Sequence, residues 1–367
     1  MSEITRATVR VGVDLAKQVI QVHAVDRTGH CVTARAIKRA QFLAWCAQLP
    51  PGCLVAMEAC AGAHHWARKL NAMGLDARLI AAHFVTPYRM EGKCGKNDMA
   101  DAAAICEAAS RPKMRFVPVK TCEQQGILSL HRVREGIKEE RTACINRIRG
   151  VLAEFGLVFA KRAEALRAEL ADVIEDASND LSSTARRVLQ RAFGHWTELD
   201  EHLRWCDQQV HQHAHSSPEA RRAAQITGVG ELGASALVAS VGEFRQFRSG
   251  EQFAAWLGVV PSQHSSGGKS SLGGITKRGD DYLRTLMIQG ARAAVITATK
   301  RDDPTSRWLV QLTQRVGWQK ASVAMANKNA RILWAVMTRG TNFDPRHVSN
   351  KPARPCSEAA DPQAVTA

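Results

Sequence analysis

The stretch TVRVGVDLAKQVIQVHAV, residues 8–25, alternates β-branched residues with small or polar ones, and an aspartate, Asp14, closes its first run. A period of two marks a strand with one buried face. The second run, 19–25, leads through the turn sequence DRTGH into CVTARAI, which predicts a three-strand meander. A helix is expected over about 39–48, ended by Pro50, Pro51 and Gly52. CLVAMEA, 53–59, is an apolar run too short for a helix, so Glu58 is expected at the end of a buried strand. HHWARKLNAMG predicts a helix stopped by Gly74, and DARLIAA another strand. A basic, glycine-punctuated loop, 87–96, precedes NDMADAAAICEAAS, 97–110, an alanine-rich helix with Asn97 as its expected N-cap.

The predicted order is therefore three strands, then helix, strand, helix, strand, helix, with Asp14, Glu58, Asp98 and Asp101 on the first strand, the fourth strand and the last helix. That is the layout of an RNase-H-like (RuvC-like) α/β nuclease core, expected over residues 1–118. Metal-assisted phosphodiester cleavage needs several carboxylate oxygens converging on cations roughly 4 Å apart. Asp98 and Asp101, three residues apart on a helix, share a face and meet that demand locally. The alternative for this pair is the ordinary preference of acids for a helix N-terminus. Lys17 reads either as a phosphate contact or as an exposed cation.

Those acids stand in a basic chain: 50 Lys and Arg oppose 35 Asp and Glu among 367 residues, a formal charge of +15. Such a surface is drawn to polyanion through counterion release. A hydrophobic share of 45% is enough to build cores and excludes a wholly disordered chain. The ten cysteines contain no Cys-x-x-Cys pair, so zinc-ribbon spacing is missing and reduced thiols are expected. No signal-peptide core and no membrane-length apolar run is visible, which predicts a cytoplasmic, nucleoid-associated protein.

Charged and apolar residues recur at helical intervals from 120 to 225, predicting long antiparallel helices over 119–224, either a coiled-coil arm that joins subunits or a simple helical linker. His211, His213 and His215 are expected not to converge on a metal. Residues 225–344 predict a compact, mostly helical domain, and 345–367 a disordered tail. ITGVGELGASALVASVG, 226–242, has the form of a helix-hairpin-helix element whose Gly228 and Gly230 can turn backbone N–H groups toward a phosphate; a plain helix C-cap and turn is the alternative. PSQHSSGGKSSLGGITKRG, 261–279, lacks the glycine at 263 that a Walker A loop requires, which argues against NTP hydrolysis. It is expected as a flexible serine-rich loop in which His264 is a surface residue. Lys269, Lys277, Arg278 and Arg284 are the candidate cations for DNA phosphate.

The motifs VGVDLAK, EACAGAHHWAR, GKCGKNDMADAAAI, RTACINRIRGVLAEFGL, ITGVGELGASALVASVG, the long segment 253–293 and KNARILWAVM closely resemble the DEDD-type transposases of bacterial insertion sequences, a class described as bridge-RNA-guided recombinases. The likeness runs from about residue 9 to 345. It implies a tetrad at Asp14, Glu58, Asp98 and Asp101 that holds Mg²⁺ (or Mn²⁺), and a nucleophilic serine at Ser266, with Ser265 as the adjacent alternative. It also implies a phosphoserine link to DNA, a guide RNA, double-stranded donor and target DNA, and a homodimer or homotetramer that assembles a composite centre. The rival readings are a Holliday-junction-resolvase-like endonuclease using water and a non-catalytic nucleic-acid-binding protein.

Overall fold

A computed structural model describes residues 7–89, 98–266 and 269–347. Asn97, most of the loop 87–96 and nearly all of the tail 345–367 lie outside them. The chain divides into two compact units, residues 1–216 with 235–246, and residues 217–234 with 247–367.

The first unit is built on a six-stranded mixed sheet in the order β3-β2-β1-β4-β5-β6. Its strands are β1 (Arg10–Leu15), β2 (Val19–Val25), β3 (Cys31–Lys38), β4 (Leu54–Glu58), β5 (Asp76–Ile80) and β6 (Phe116–Val117). The first three form the expected meander, β4 and β5 run parallel to β1, and the two-residue β6 pairs antiparallel to β5. β6 has no counterpart in the sequence reading, since two residues carry no periodicity. The helices between them are α1 (Phe42–Cys46), α2 (Ala63–Ala72), α3 (Ala82–Val85) and α4 (Asp98–Ala109). The expected helix over 39–48 is a 3-10 turn followed by the short α1.

Strand periodicity divides the core in two. Val11, Val13, Val55, Met57 and Leu79 pack with Phe42, Trp45, Trp66 and Leu70 of α1 and α2 on one face. Ala56 and Ile80 pack with Ala104, Ile105 and Ala108 of α4 on the other. Gly12, Asp14 and Glu58 occupy strand positions of this second face.

Beyond the sheet, α5 (Cys122–Glu154), α6 (Ala163–Glu175) and α7 (Ser183–Ser216) are the long helices the spacing predicts. α5 begins with a capping box in which Thr121 and Gln124 exchange bonds. Its pairing with α7 is antiparallel, as Arg134 meets Asp207 and Arg141 meets Asp200. Leu152, Leu166, Leu189 and Trp196 fill the space among the three helices. His131 of α5 and His213 of α7 both bond the buried Ser235 hydroxyl at 2.9 Å. His211 and His215, four residues apart on α7, do adjoin, with ring centroids 4.2 Å apart, while His213 turns to Ser235. The expectation that none of the three converges is corrected for that pair: one helical turn returns a side chain to the same face.

The second unit contains α8 (Pro218–Ala224), α10 (Gly250–Leu257), α11 (Asp281–Thr297), α12 (Pro304–Val316), α13 (Trp318–Arg339) and a β-hairpin of β7 (Pro261–Ser266) and β8 (Lys269–Ile275). α9 (Glu231–Val241) starts in this unit and continues into the first. The hairpin corrects the expected flexible loop. Gly267 and Gly268, a dipeptide that favours two-residue hairpin connections, are the signal that could have foretold it. Among the described residues no helix is long and apolar enough to cross a membrane.

Candidate active site

Asp14 and Glu58 come together because β1 and β4 are parallel neighbours, in register at Val13 and Met57. The next residue along each strand is an acid on the face that carries α4. Gly12 decides how close α4 comes. A β-carbon placed there would lie 2.1 Å from the Ala102 carbonyl oxygen and 2.5 Å from the Cys106 nitrogen, so the helix backbone rests directly on the strand. Asp98 and Asp101 stand in the first turn of that helix. Asp98 is exposed, Asp101 is buried, and Asp14 and Glu58 are intermediate.

The other three acids act electrically on Asp14. Burial pushes the Asp14 carboxyl above its ordinary value, and the charges of Asp101, Asp98 and Glu58 push it further. The same field reaches Cys60, whose thiol is raised by burial and then by Glu58 and Asp14. Hard oxygen donors with surplus negative charge are the chemistry that Mg²⁺ or Mn²⁺ requires, and these residues fit such ions.

A cation of the protein already answers that surplus. The Arg89 guanidinium places Nε 2.7 Å from Asp101 Oδ1 and Nη2 3.7 Å from Glu58 Oε2. Its Nε–H is buried without an aligned hydrogen-bond acceptor, so charge rather than bond direction holds the contact. Arg89 was missed in the sequence, where it is one basic residue among several in 87–96.

The remaining candidates belong to the second unit. Ser266 ends β7, in register with Lys269 at the start of β8. The Ser265 hydroxyl accepts a 2.8 Å bond from the Gln263 amide, and His264 is exposed. Lys277 and Arg278 are exposed just beyond β8, and Lys277 holds a left-handed backbone with φ 52°, a conformation that costs a non-glycine residue energy. Their segment is clamped, since a β-carbon on Gly258 would lie 2.1 Å from the Arg278 carbonyl oxygen.

Arg284 has a different place from the one expected. It is only 7% exposed, and its guanidinium pairs with Asp281 and reaches the Gly279 carbonyl oxygen. Its charge serves the start of α11, so it is not available to a DNA backbone. Gly228 makes a close packing contact, for a β-carbon on the facing Gly290 would lie 2.1 Å from the Gly228 carbonyl oxygen. Gly230 is exposed next to the start of α9.

Comparison with known proteins gives one answer for both units. A family model described as Transposase IS116/IS110/IS902 family matches residues 220–306, and a DEDD model for IS110 transposases matches 11–156. A probable family 20 transposase of Pseudomonas aeruginosa is 49% identical over 337 residues, spanning 92% of this chain and 98% of that protein. The transposase for insertion sequence element IS1111A of Coxiella burnetii is 43% identical over 91% of this chain and 90% of its own length. The transposase for insertion sequence element IS1328 of Yersinia enterocolitica is 37% identical over 91% of this chain and 98% of its own.

Proposed function

Because this chain belongs to the IS116/IS110/IS902 family of transposases, enzymes that cut and transfer DNA, we propose that it does so through a composite centre in which Asp14, Glu58, Asp98 and Asp101 hold divalent metal and Ser266 is the nucleophile. What supports this reading is that β1, β4 and the first turn of α4 carry Asp14, Glu58, Asp98 and Asp101 near enough for the charges of the other three to raise the Asp14 carboxyl. When bound there, Mg²⁺ or Mn²⁺ supplies Lewis-acid polarisation of a DNA phosphate.

The protein's own groups do the rest. The Ser266 hydroxyl oxygen bonds to phosphorus while the bridging bond to a deoxyribose oxygen breaks; the serine proton leaves to solvent and the released sugar oxygen gains one. A second sugar hydroxyl reverses the step on another strand, so phosphoester bonds are exchanged without net hydrolysis. Lys269, Lys277 and Arg278 neutralise the backbone around Ser266, and Gly230 offers an N–H. The second unit carries the serine, and a second copy of the chain completes the centre in a dimer or tetramer. Target choice rests with a guide RNA, which reads bases by pairing and spares the side chains that task. RNA sequencing of purified protein should return one enriched species.

The deciding experiment is capture of a covalent protein–DNA adduct on denaturing gels with S266A beside the unaltered protein. The unaltered protein should give an adduct and S266A none, with DNA binding retained. An adduct from S266A refutes the serine assignment. Cleavage by the unaltered protein without any adduct points instead to water as nucleophile.

A further inference from the structure

Arg89 raises a question the proposed centre does not answer, because a guanidinium lies where negative charge is densest. It contacts Asp101 and Glu58, acids from different elements, α4 and β4, and so ties the helix to the sheet across the site. Its side chain is 31% exposed, which leaves it a way out toward solvent. The unaligned Nε–H separates this contact from a structural arginine fork, in which paired N–H groups point straight at carboxylate oxygens. Four acids without a counter-charge would repel one another and pull α4 off the strand.

We infer that Arg89 is an internal counter-cation which holds the acid cluster together before metal loading and withdraws when a divalent ion binds. This inference rests on the acids being the metal site. A guanidinium and a doubly charged cation set on the same pair of carboxylates repel each other and draw on the same negative charge, so the two compete, and binding of the ion favours withdrawal of the guanidinium. Arg89 is thus a positioning residue that sets the metal affinity of the cluster. Once displaced it is a free cation beside the site, placed to take a DNA phosphate, which links metal loading to the arrival of substrate.

The test uses the full chain and Mn²⁺ as probe, with the free ion followed by electron paramagnetic resonance. Arg89→Gln removes the charge and should bind Mn²⁺ about tenfold more tightly than the unaltered protein, the size expected for deleting one competing charge near a partly solvated site. Arg89→Lys keeps the charge and should stay within about twofold. Without metal, R89Q should melt at a lower temperature than the unaltered protein, and with saturating Mn²⁺ the difference should vanish. Arg89→Met repeats the charge deletion while keeping the aliphatic stem, in case glutamine disturbs folding. Equal or weaker Mn²⁺ binding by R89Q and R89M overturns the inference and leaves the metal site standing. Absence of Mn²⁺ binding in every protein, the unaltered one included, overturns the metal reading and this inference with it.

Discussion

Gly12→Ala tests the contact that assembles the acid cluster. The added β-carbon would lie 2.1 Å from the Ala102 carbonyl oxygen, 2.5 Å from the Cys106 nitrogen and 2.7 Å from the Cys106 β-carbon. Two of the three atoms are backbone, so no rotamer change relieves the clash. Reaching even a 3.4 Å contact with Ala102 requires α4 to retreat from β1 by about 1.3 Å. Overpacking of this kind costs about 1–3 kcal/mol. The functional loss should be larger than the loss of stability, because α4 carries Asp98 and Asp101 while β1 carries Asp14. A displacement of ~1 Å in a catalytic constellation can lower the rate about 100-fold. The assay is DNA strand cleavage together with the Mn²⁺ affinity and the melting temperature. G12A should melt a few degrees lower, bind Mn²⁺ at least about tenfold more weakly and cleave about 100-fold more slowly. A variant with unaltered Mn²⁺ affinity and cleavage would show that helix and strand need not touch for the acids to work together, and would refute the reasoning.

Two further outcomes concern stability. His131 is 2% exposed and its imidazole is pushed down to about 4 from 6.5, first by burial and then by Arg134 and His213, against the opposing charge of Glu135. A histidine depressed in the fold is neutral there, so its contribution is full above pH 6.5 and is lost as pH falls from 6.5 through about 4, a total of about 3 kcal/mol. His131→Gln should flatten most of that slope in acid melting curves, and a profile still as steep would place the sensitivity elsewhere. Gly126 and Gly136 sit exposed in the interior of α5, with nothing within 4 Å of an added β-carbon. Alanine at either should stabilise the protein by about 0.5–1 kcal/mol in denaturant titration, and a loss at either would mean that the helix face is covered in solution.

Much of the candidate site was legible before any coordinates. The alternation around Val11 and Val13 reads as β1, and the apolar run 53–59, too short for a helix, reads as β4, which puts Asp14 and Glu58 on strands. Asp98 and Asp101 could be placed on one helix face from their spacing. The β7–β8 hairpin was readable too, but its Gly-Gly signal was overshadowed by its serines. Arg89, buried Arg284 and the Gly228–Gly290 contact were not, because each depends on a partner distant in the chain or on a pocket formed by other elements.

The sequence by itself determined the periodicities and apolar runs, hence the elements that carry the acids and the shared helix face of Asp98 and Asp101, since those follow from bonds and rotations among near neighbours. Only the tertiary structure decided that β4 settles beside β1, that α4 rests on bare glycine backbone, and that the cation answering the acids is Arg89. Contacts of that kind arise when the packing of distant segments minimises exposed apolar surface and unpaired charge over the whole unit. No local pattern records the result of that competition.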